Sequence, residues 1–256
     1  MNFFFKFIPT SLLVPLKYYY YYLRDYLEPE MVFLNKIINK GDISIDVGGN
    51  WGAYSYYLYL LKSKIKIFEP NLSCSKILKS WAKNKKNINV FDVALSNYAG
   101  KVDLKIPFSN KVAHHASGTI HNNIKNKVSK NFKIVKQSVF RKKLDTYNFQ
   151  NVKFIKIDVE GHELKVIQGA LKTIQKFKPI LLVEIEQRHH SSTSIKNIFN
   201  KILNLNYSGF FYQNNNLISI NVFNVKKHQK IKNLGKKNIY INNFFFIPKK
   251  YKYLFN

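Results

Sequence analysis

Ile43-Ser44-Ile45-Asp46-Val47-Gly48-Gly49-Asn50-Trp51-Gly52 joins a short apolar run ending in an acid to a glycine-rich turn, and an apolar segment of helical length follows. The run over 43–47 reads as a buried parallel strand and 53–61 as the helix after it. Such a strand–turn–helix unit presents free backbone N–H groups and the positive end of a helix dipole at the carboxyl end of a strand. Open α/β sheets bind their ligands there, so an anionic or polar ligand is expected at this turn.

Downstream, 64–69 alternates and ends in Glu69 before Pro70, a second strand. A helix over 71–83 follows, capped by Asn71 or Ser73, and 89–94 supplies a third strand. Upstream, 30–40 has helical periodicity, with Gly41 as its stop. After a less regular middle, 153–158 is a strand leading into Val159-Glu160-Gly161. The next helix buries Leu164, Ile167, Leu171 and Ile174 at helical spacing, and 180–186 is another buried strand. A helix near 194–203, hairpin strands at 210–212 and 217–222 and a last strand at 243–247 complete the chain. The expectation is an α/β fold with a mostly parallel, seven-stranded sheet and helices on both faces. Residues 1–40 form an arm and leading helix, and 41–256 one domain.

Lysine and arginine number 42 against 14 acids in 256 residues, a formal net charge of +28. Arginine occurs only at Arg24, Arg141 and Arg188, and arginine is the residue suited to bidentate phosphate reading. The charge is therefore read as lysines on solvated faces that attract acidic partners, and nucleic acid is not the expected ligand. Cys74 stands alone, which excludes an intrachain disulfide and suits a reducing, cytoplasmic setting. The apolar stretch over 7–16 is too short to span a bilayer and holds Pro9 and Pro15. With the tyrosine run 18–22 behind it, the arm is expected either to pack on the domain or to touch anionic membrane at the inner face.

Half the acids, Asp46, Glu69, Asp92, Asp158, Glu160, Glu184 and Glu186, end predicted strands or begin the turns after them. In a parallel sheet they converge on one rim, more than helix capping requires, and mark a binding site. A carboxylate at the end of the second strand suits the two hydroxyls of a ribose, in a dinucleotide or a nucleoside. The turn is Gly48-Gly-Asn-Trp-Gly52 rather than G-x-G-x-x-G, and Asp46 would repel a diphosphate but attract an ammonium group. S-adenosyl-L-methionine fits better than a dinucleotide.

Asp46-Val-Gly-Gly-Asn-Trp-Gly52, Phe68-Glu-Pro-Asn71, Ala94-Leu-Ser-Asn97, Leu144-Asp145, Ile155-Lys-Ile-Asp-Val-Glu-Gly-His-Glu163 and Val183-Glu-Ile-Glu-Gln-Arg-His189 resemble the successive motifs of FkbM-type methyltransferases. They cover about 41–190 in the family's order, and Phe244-Phe-Phe-Ile-Pro248 resembles its closing strand. The resemblance implies a class I, Rossmann-like methyltransferase and O-methylation of a hydroxyl, often on a sugar in a glycan or glycolipid precursor. The lysine-rich middle loop and the aromatic arm depart from the family pattern.

Asp46, Gly48, Asn50 and Gly52, with Gly49 in the same turn, are assigned to the cofactor's methionine end, Glu69 to its ribose, and Asp92 and Val93 to the adenine. Trp51 and Tyr54 are expected to pack, and Cys74 to be inert. Asp158 and Glu160 fall where the methyl group projects, with Lys156 in phase to pair with one of them. An alcohol must lose a proton, so a general base is expected nearby. The candidates are His189, then His115 or His114 in the polar 108–130 loop, with Asp158 as orienter or alternative base. His162 is expected to face solvent, and no Cys/His cluster resembles a zinc site. An RNA methyltransferase and a non-catalytic protein retaining the fold are the competing readings.

Overall fold

The computed structural model describes residues 8–109, 112–113, 118–120, 133–190 and 195–251. Strand β1 (Ile43–Val47) lies at the centre of an eight-stranded sheet. It pairs in parallel with β2 (Lys64–Phe68) on one side and β8 (Val152–Ile157) on the other. Beyond β2 lies β3 (Ile88–Phe91), and beyond β8 lies β9 (Ile180–Glu184), both parallel. The antiparallel β12 (Asn243–Pro248) follows, then β10 (Tyr207–Gln213) and β11 (Asn216–Ser219). The eighth strand arises because Asn214 and Asn215, both at positive φ, form a two-residue hairpin turn and pair β11 onto the edge.

Side-chain alternation splits the apolar residues between two cores. Phe244 and Phe246 of β12 face one core, with Val166, Ile174, Ile198 and Phe199; Phe245 and Ile247 face the other, with Leu58, Leu78 and Trp81. Helices α5 (Glu163–Gly169), α6 (Leu171–Phe177) and α7 (Ile195–Leu203) cover the first face. The second is covered by α1 (Leu13–Leu23), α2 (Met31–Leu34), α3 (Ala53–Leu60) and α4 (Leu72–Ala82). Val14 and Tyr18 of α1 belong to that core, so the arm shares the domain's packing. No helix among the described residues is long and apolar enough to cross a membrane.

Two expected elements differ. The helix over 30–40 is only Met31–Leu34; beyond it three-residue turns carry the chain to Gly41, at φ +87, and into β1. The strand over 89–94 breaks at Asp92, whose carboxylate is taken by Ser75 and Lys79 of α4. There the chain leaves the main sheet for a second one, of β4 (Val93–Leu95), β7 (Lys133–Lys142), β5 (Gly100–Ser109) and β6 (Val112–Ala113). His114, His115 and His121 of the proposed loop lie outside the described residues.

Candidate functional site

The strand order reverses between β1 and β8, and their carboxyl ends meet there. Gly48 makes the meeting close. It holds φ +83, and a Cβ on it would stand 1.8 Å from the carbonyl oxygen of Asp158. The chain then turns through Asn50 and Gly52, both at positive φ, into α3. Glu69, at the end of β2, accepts the backbone N–H of Asn50 at 2.6 Å and that of Asn71 at 2.7 Å, tying the first two loops together. Burial pushes its carboxyl up to about 7 against the pull of those two amides. Asn71 also caps α4, its side chain accepting from the N–H of Ser73.

These loops border a cleft at the point where the strand order reverses. Gly48, Asn50, Glu69, Val93, Asp158 and Glu160 line it, as the sequence leads one to expect. The second sheet closes its far side with Leu104 and the segment 118–120; Thr119 donates to the carbonyl of Glu160 at 2.9 Å. His162 also lines the cleft. It is buried rather than solvent-facing, with Nε2 3.0 Å from the Ser96 hydroxyl. None of Leu104, Thr119 and Ile120 carries a sequence signal, whereas Ser96 of the Ala-Leu-Ser-Asn motif was a usable pointer to His162.

Other assigned residues serve the cleft from behind. Asp46 lies beneath the turn, accepting from the Ser55 hydroxyl of α3, and burial pushes its carboxyl up to about 6. It supports the turn rather than lining the cleft, as do Gly49 and Gly52, which pack on Ile67 and on Leu78 and Val14. Asp92 is turned onto α4 by the bonds already described, so of the adenine pair only Val93 reaches the cleft. Trp51 packs under the Lys17 ammonium, 4.3 Å from its ring centre. Cys74 is closer to the turn than expected: its Sγ is 3.6 Å from Asn50 Oδ1, and burial raises its thiol.

Half-buried acids form a network around one buried cation. Lys156, 1% exposed, stands 3.9 Å from Asp158 and donates to Asn243 Oδ1 at 2.9 Å. Asn243 donates at 3.0 Å to Glu28, which also takes the Tyr54 hydroxyl. Glu184 at the end of β9 accepts from Asn242 at 2.8 Å. Burial raises the carboxyls of Asp158 and Glu184; Lys156 opposes both rises, Glu28 adds to both, and Asp158 adds to that of Glu184. Glu28 and Asn243 were not predicted here, because they come from the arm and the last strand.

His189 is buried with Nε2 3.3 Å from Glu160, so it backs a cleft-lining carboxylate. His115 lies outside the described residues. Glu186 leaves the reacting group altogether, bound by Arg188 at 2.6 and 2.7 Å and by the Tyr240 hydroxyl. Among the described residues no three His, Cys, Asp or Glu side chains are grouped to hold a metal ion.

The chain matches the Methyltransferase FkbM domain over residues 39–209, more than half its length. No curated protein matches in sequence. The FkbM methyltransferase from Methylobacillus flagellatus KT is similar in structure, with a TM-score of 0.53 and 15% identity over 93% of this chain. This chain spans 48% of that protein. The precorrin-6y C5,15-methyltransferase from Geobacter metallireducens GS-15 aligns at a TM-score of 0.44 and 8% identity, over 85% of this chain and 86% of that one. Fibrillarin from Aeropyrum pernix, solved with natively bound S-adenosyl-L-methionine, aligns at 0.42 and 10%, over 84% and 72%. With its glycine turn, its loop-joining Glu69 and a cleft at the point where strand order reverses, the chain belongs to the FkbM methyltransferase family that its residues 39–209 match.

Proposed function

We propose that this methyltransferase methylates a hydroxyl of a saccharide, in a glycan or glycolipid precursor. S-adenosylmethionine supplies an electrophilic methyl group. In the proposed arrangement Glu69 receives its ribose, the turn at Gly48 and Asn50 its methionine end, and Val93 flanks the adenine. The acceptor oxygen must be held in line with that methyl group and relieved of its proton. The observation that carries the reading is the half-buried carboxyl pair Asp158 and Glu184, beside the buried Lys156 at the carboxyl ends of β8 and β9. Burial raises both carboxyls, and the charge of Glu28 adds to the rise, which strengthens them as bases for an alcohol. Lys156 holds negative charge in place as the proton arrives, and His189 steadies Glu160 alongside.

Peripheral membrane contact is part of this proposal. Leu12, Leu16, Tyr19, Tyr20, Tyr22 and Leu23 of the arm are exposed together, a face suited to the headgroup region of a bilayer. The test is mass spectrometry of surface glycans from cells carrying the wild type or Asp158→Asn. An O-methyl sugar present in the first and absent in the second is expected. Unchanged glycans together with a methyl lost from RNA would favour the nucleic-acid reading instead.

A further inference from the structure

A second cleft, of about 790 Å³, opens on the Glu184 side of the Asp158–Glu184 pair. Its walls are the segment Arg24–Glu30 of the arm and residues 234–243, with Glu184 and Glu186 between them. Both walls fall outside the 39–209 span matched by the family. The cleft reaches the reacting groups through two hydrogen bonds, Asn242 to Glu184 and Asn243 to Glu28, and Asn243 in turn accepts from Lys156.

The cleft is polarised from floor to rim. Glu30 belongs to the floor and is 5% exposed, and its Oε2 has no hydrogen-bond partner among the described residues. Burial pushes its carboxyl up to about 8, with Glu28 adding to the rise, so at neutral pH it keeps a proton to donate. Asn243 and Tyr240 are buried beside it. At the rim Arg24 and Lys236 are exposed and have no carboxylate partner among the described residues, unlike Lys237, which pairs with Asp25 at 2.6 Å. Carboxyls and amides exchange hydrogen bonds with sugar hydroxyls at no cost in charge, whereas unpaired cations ask for an anion.

We propose that this cleft is the acceptor site, and that it takes a saccharide with an anionic substituent, its hydroxyls toward Glu28, Glu30 and Asn242 and its anionic group toward Arg24 and Lys236. Glu184 lines this cleft and Asp158 the cofactor cleft, so the reacting hydroxyl extends past Glu184 to Asp158, where it meets the methyl group. The assignment rests on the hydroxyl-methylation reading above. It also explains why the arm carries acids at Glu28 and Glu30, which the core fold does not need.

The test uses the full chain saturated with S-adenosylhomocysteine. Binding of the 1-phosphates of glucose, galactose, mannose and N-acetylglucosamine is compared with that of the matching methyl glycosides by saturation-transfer NMR and calorimetry. At least one sugar phosphate is expected to bind tenfold or more tighter than its neutral glycoside. Arg24→Ala with Lys236→Ala should abolish that gap and leave S-adenosylhomocysteine affinity within twofold of wild type. Glu30→Gln should weaken phosphate and glycoside alike. Inorganic phosphate competing as well as the sugar phosphates, equal affinity for both series, or binding by none of them would overturn the cleft assignment alone. Methyl transfer to nitrogen, or loss of S-adenosylhomocysteine binding by the wild type, would count against the hydroxyl reading beneath it.

Discussion

Lys156 Nζ lies 3.9 Å from Asp158 Oδ2 on the same strand, and the lysine is 1% exposed. A buried ammonium persists only where acids surround it, and Asp158, Glu28, Glu184 and Asp46 raise its pKa against the penalty of burial. Removing one member of a fully buried pair costs about 3–5 kcal/mol, and less where water still reaches the partner, as it does Asp158 at 32% exposure. Lys156→Met is therefore expected to lose stability, by less than that, in urea titration and to lose methyl transfer as well. A variant as stable and active as wild type would deny the network its role.

Glu69 accepts two backbone amides from different loops. Glu69→Ala leaves both unpaired, and hydrogen bonds to a charged group are worth about 1.5–3 kcal/mol each. S-adenosylhomocysteine affinity should fall about 100-fold in calorimetry. Glu69→Gln keeps one acceptor oxygen and should fall less, about tenfold.

Two glycines with similar backbone angles provide an internal control. Gly48 and Gly41 both lie near φ +85, but a Cβ at Gly48 meets Asp158 backbone at 1.8 Å, whereas at Gly41 nothing lies within 4 Å. Gly41→Ala should cost about 1 kcal/mol of left-handed strain and leave cofactor binding intact. Gly48→Ala should push β1 from β8 and abolish binding. Equal behaviour of the two variants would mean that strain alone, not close approach, explains the turn.

Buried acids make stability fall as pH rises. Asp46, Glu69 and Glu30 carry folded-state values of about 6, 7 and 8, each raised first by desolvation. Unfolded, they release their protons near pH 4. The folded chain thus binds more protons between those limits, and the stability this confers is present below pH 4 and lost through pH 6–8. The melting temperature of the ligand-free protein should fall from pH 5 to 8.5. Glu30→Gln should flatten the upper part of that fall, and a wild-type curve rising over this range would contradict the assignment.

Exposed aromatics on α1 make vesicle binding measurable. Tyr19→Ser, Tyr22→Ser and Leu23→Ser combined should cut pelleting with anionic liposomes several-fold while leaving the melting temperature nearly unchanged, since these residues are 48%, 63% and 81% exposed. Equal pelleting would remove the membrane from the picture.

The central strands, the glycine turn and Glu69 were legible because period and punctuation are local. A buried parallel strand is a short apolar run, and the turn after it demands residues that tolerate positive φ. What stayed hidden depends on contacts distant in sequence. Asp92 looked like the end of a strand beside the adenine, but Ser75 and Lys79 capture it and the chain changes sheets there. The position of Asp46 was legible but its bond to the Ser55 hydroxyl beneath the turn was not, since that depends on how α3 packs. Glu30 opens a segment whose periodicity argued only for a helix, Glu28 lies before it with no motif around it, and Asn243 only acquires meaning once β12 is threaded beside β9.

β12, last in chain order among the strands, is not at an edge. It lies between β9 and β10 and contributes four buried residues, Phe244 to Ile247, to both cores. During synthesis β9 and the β10–β11 hairpin emerge first, each with an unpaired apolar edge, and at ~5–20 residues per second the closing strand arrives seconds later. Until then the nascent sheet is two separate pieces open to strand-to-strand association. A ribosome stalled before Asn243 would therefore leave the half of the site that includes Asn243 unbuilt, and a chaperone that shields strand edges has its natural moment in that interval.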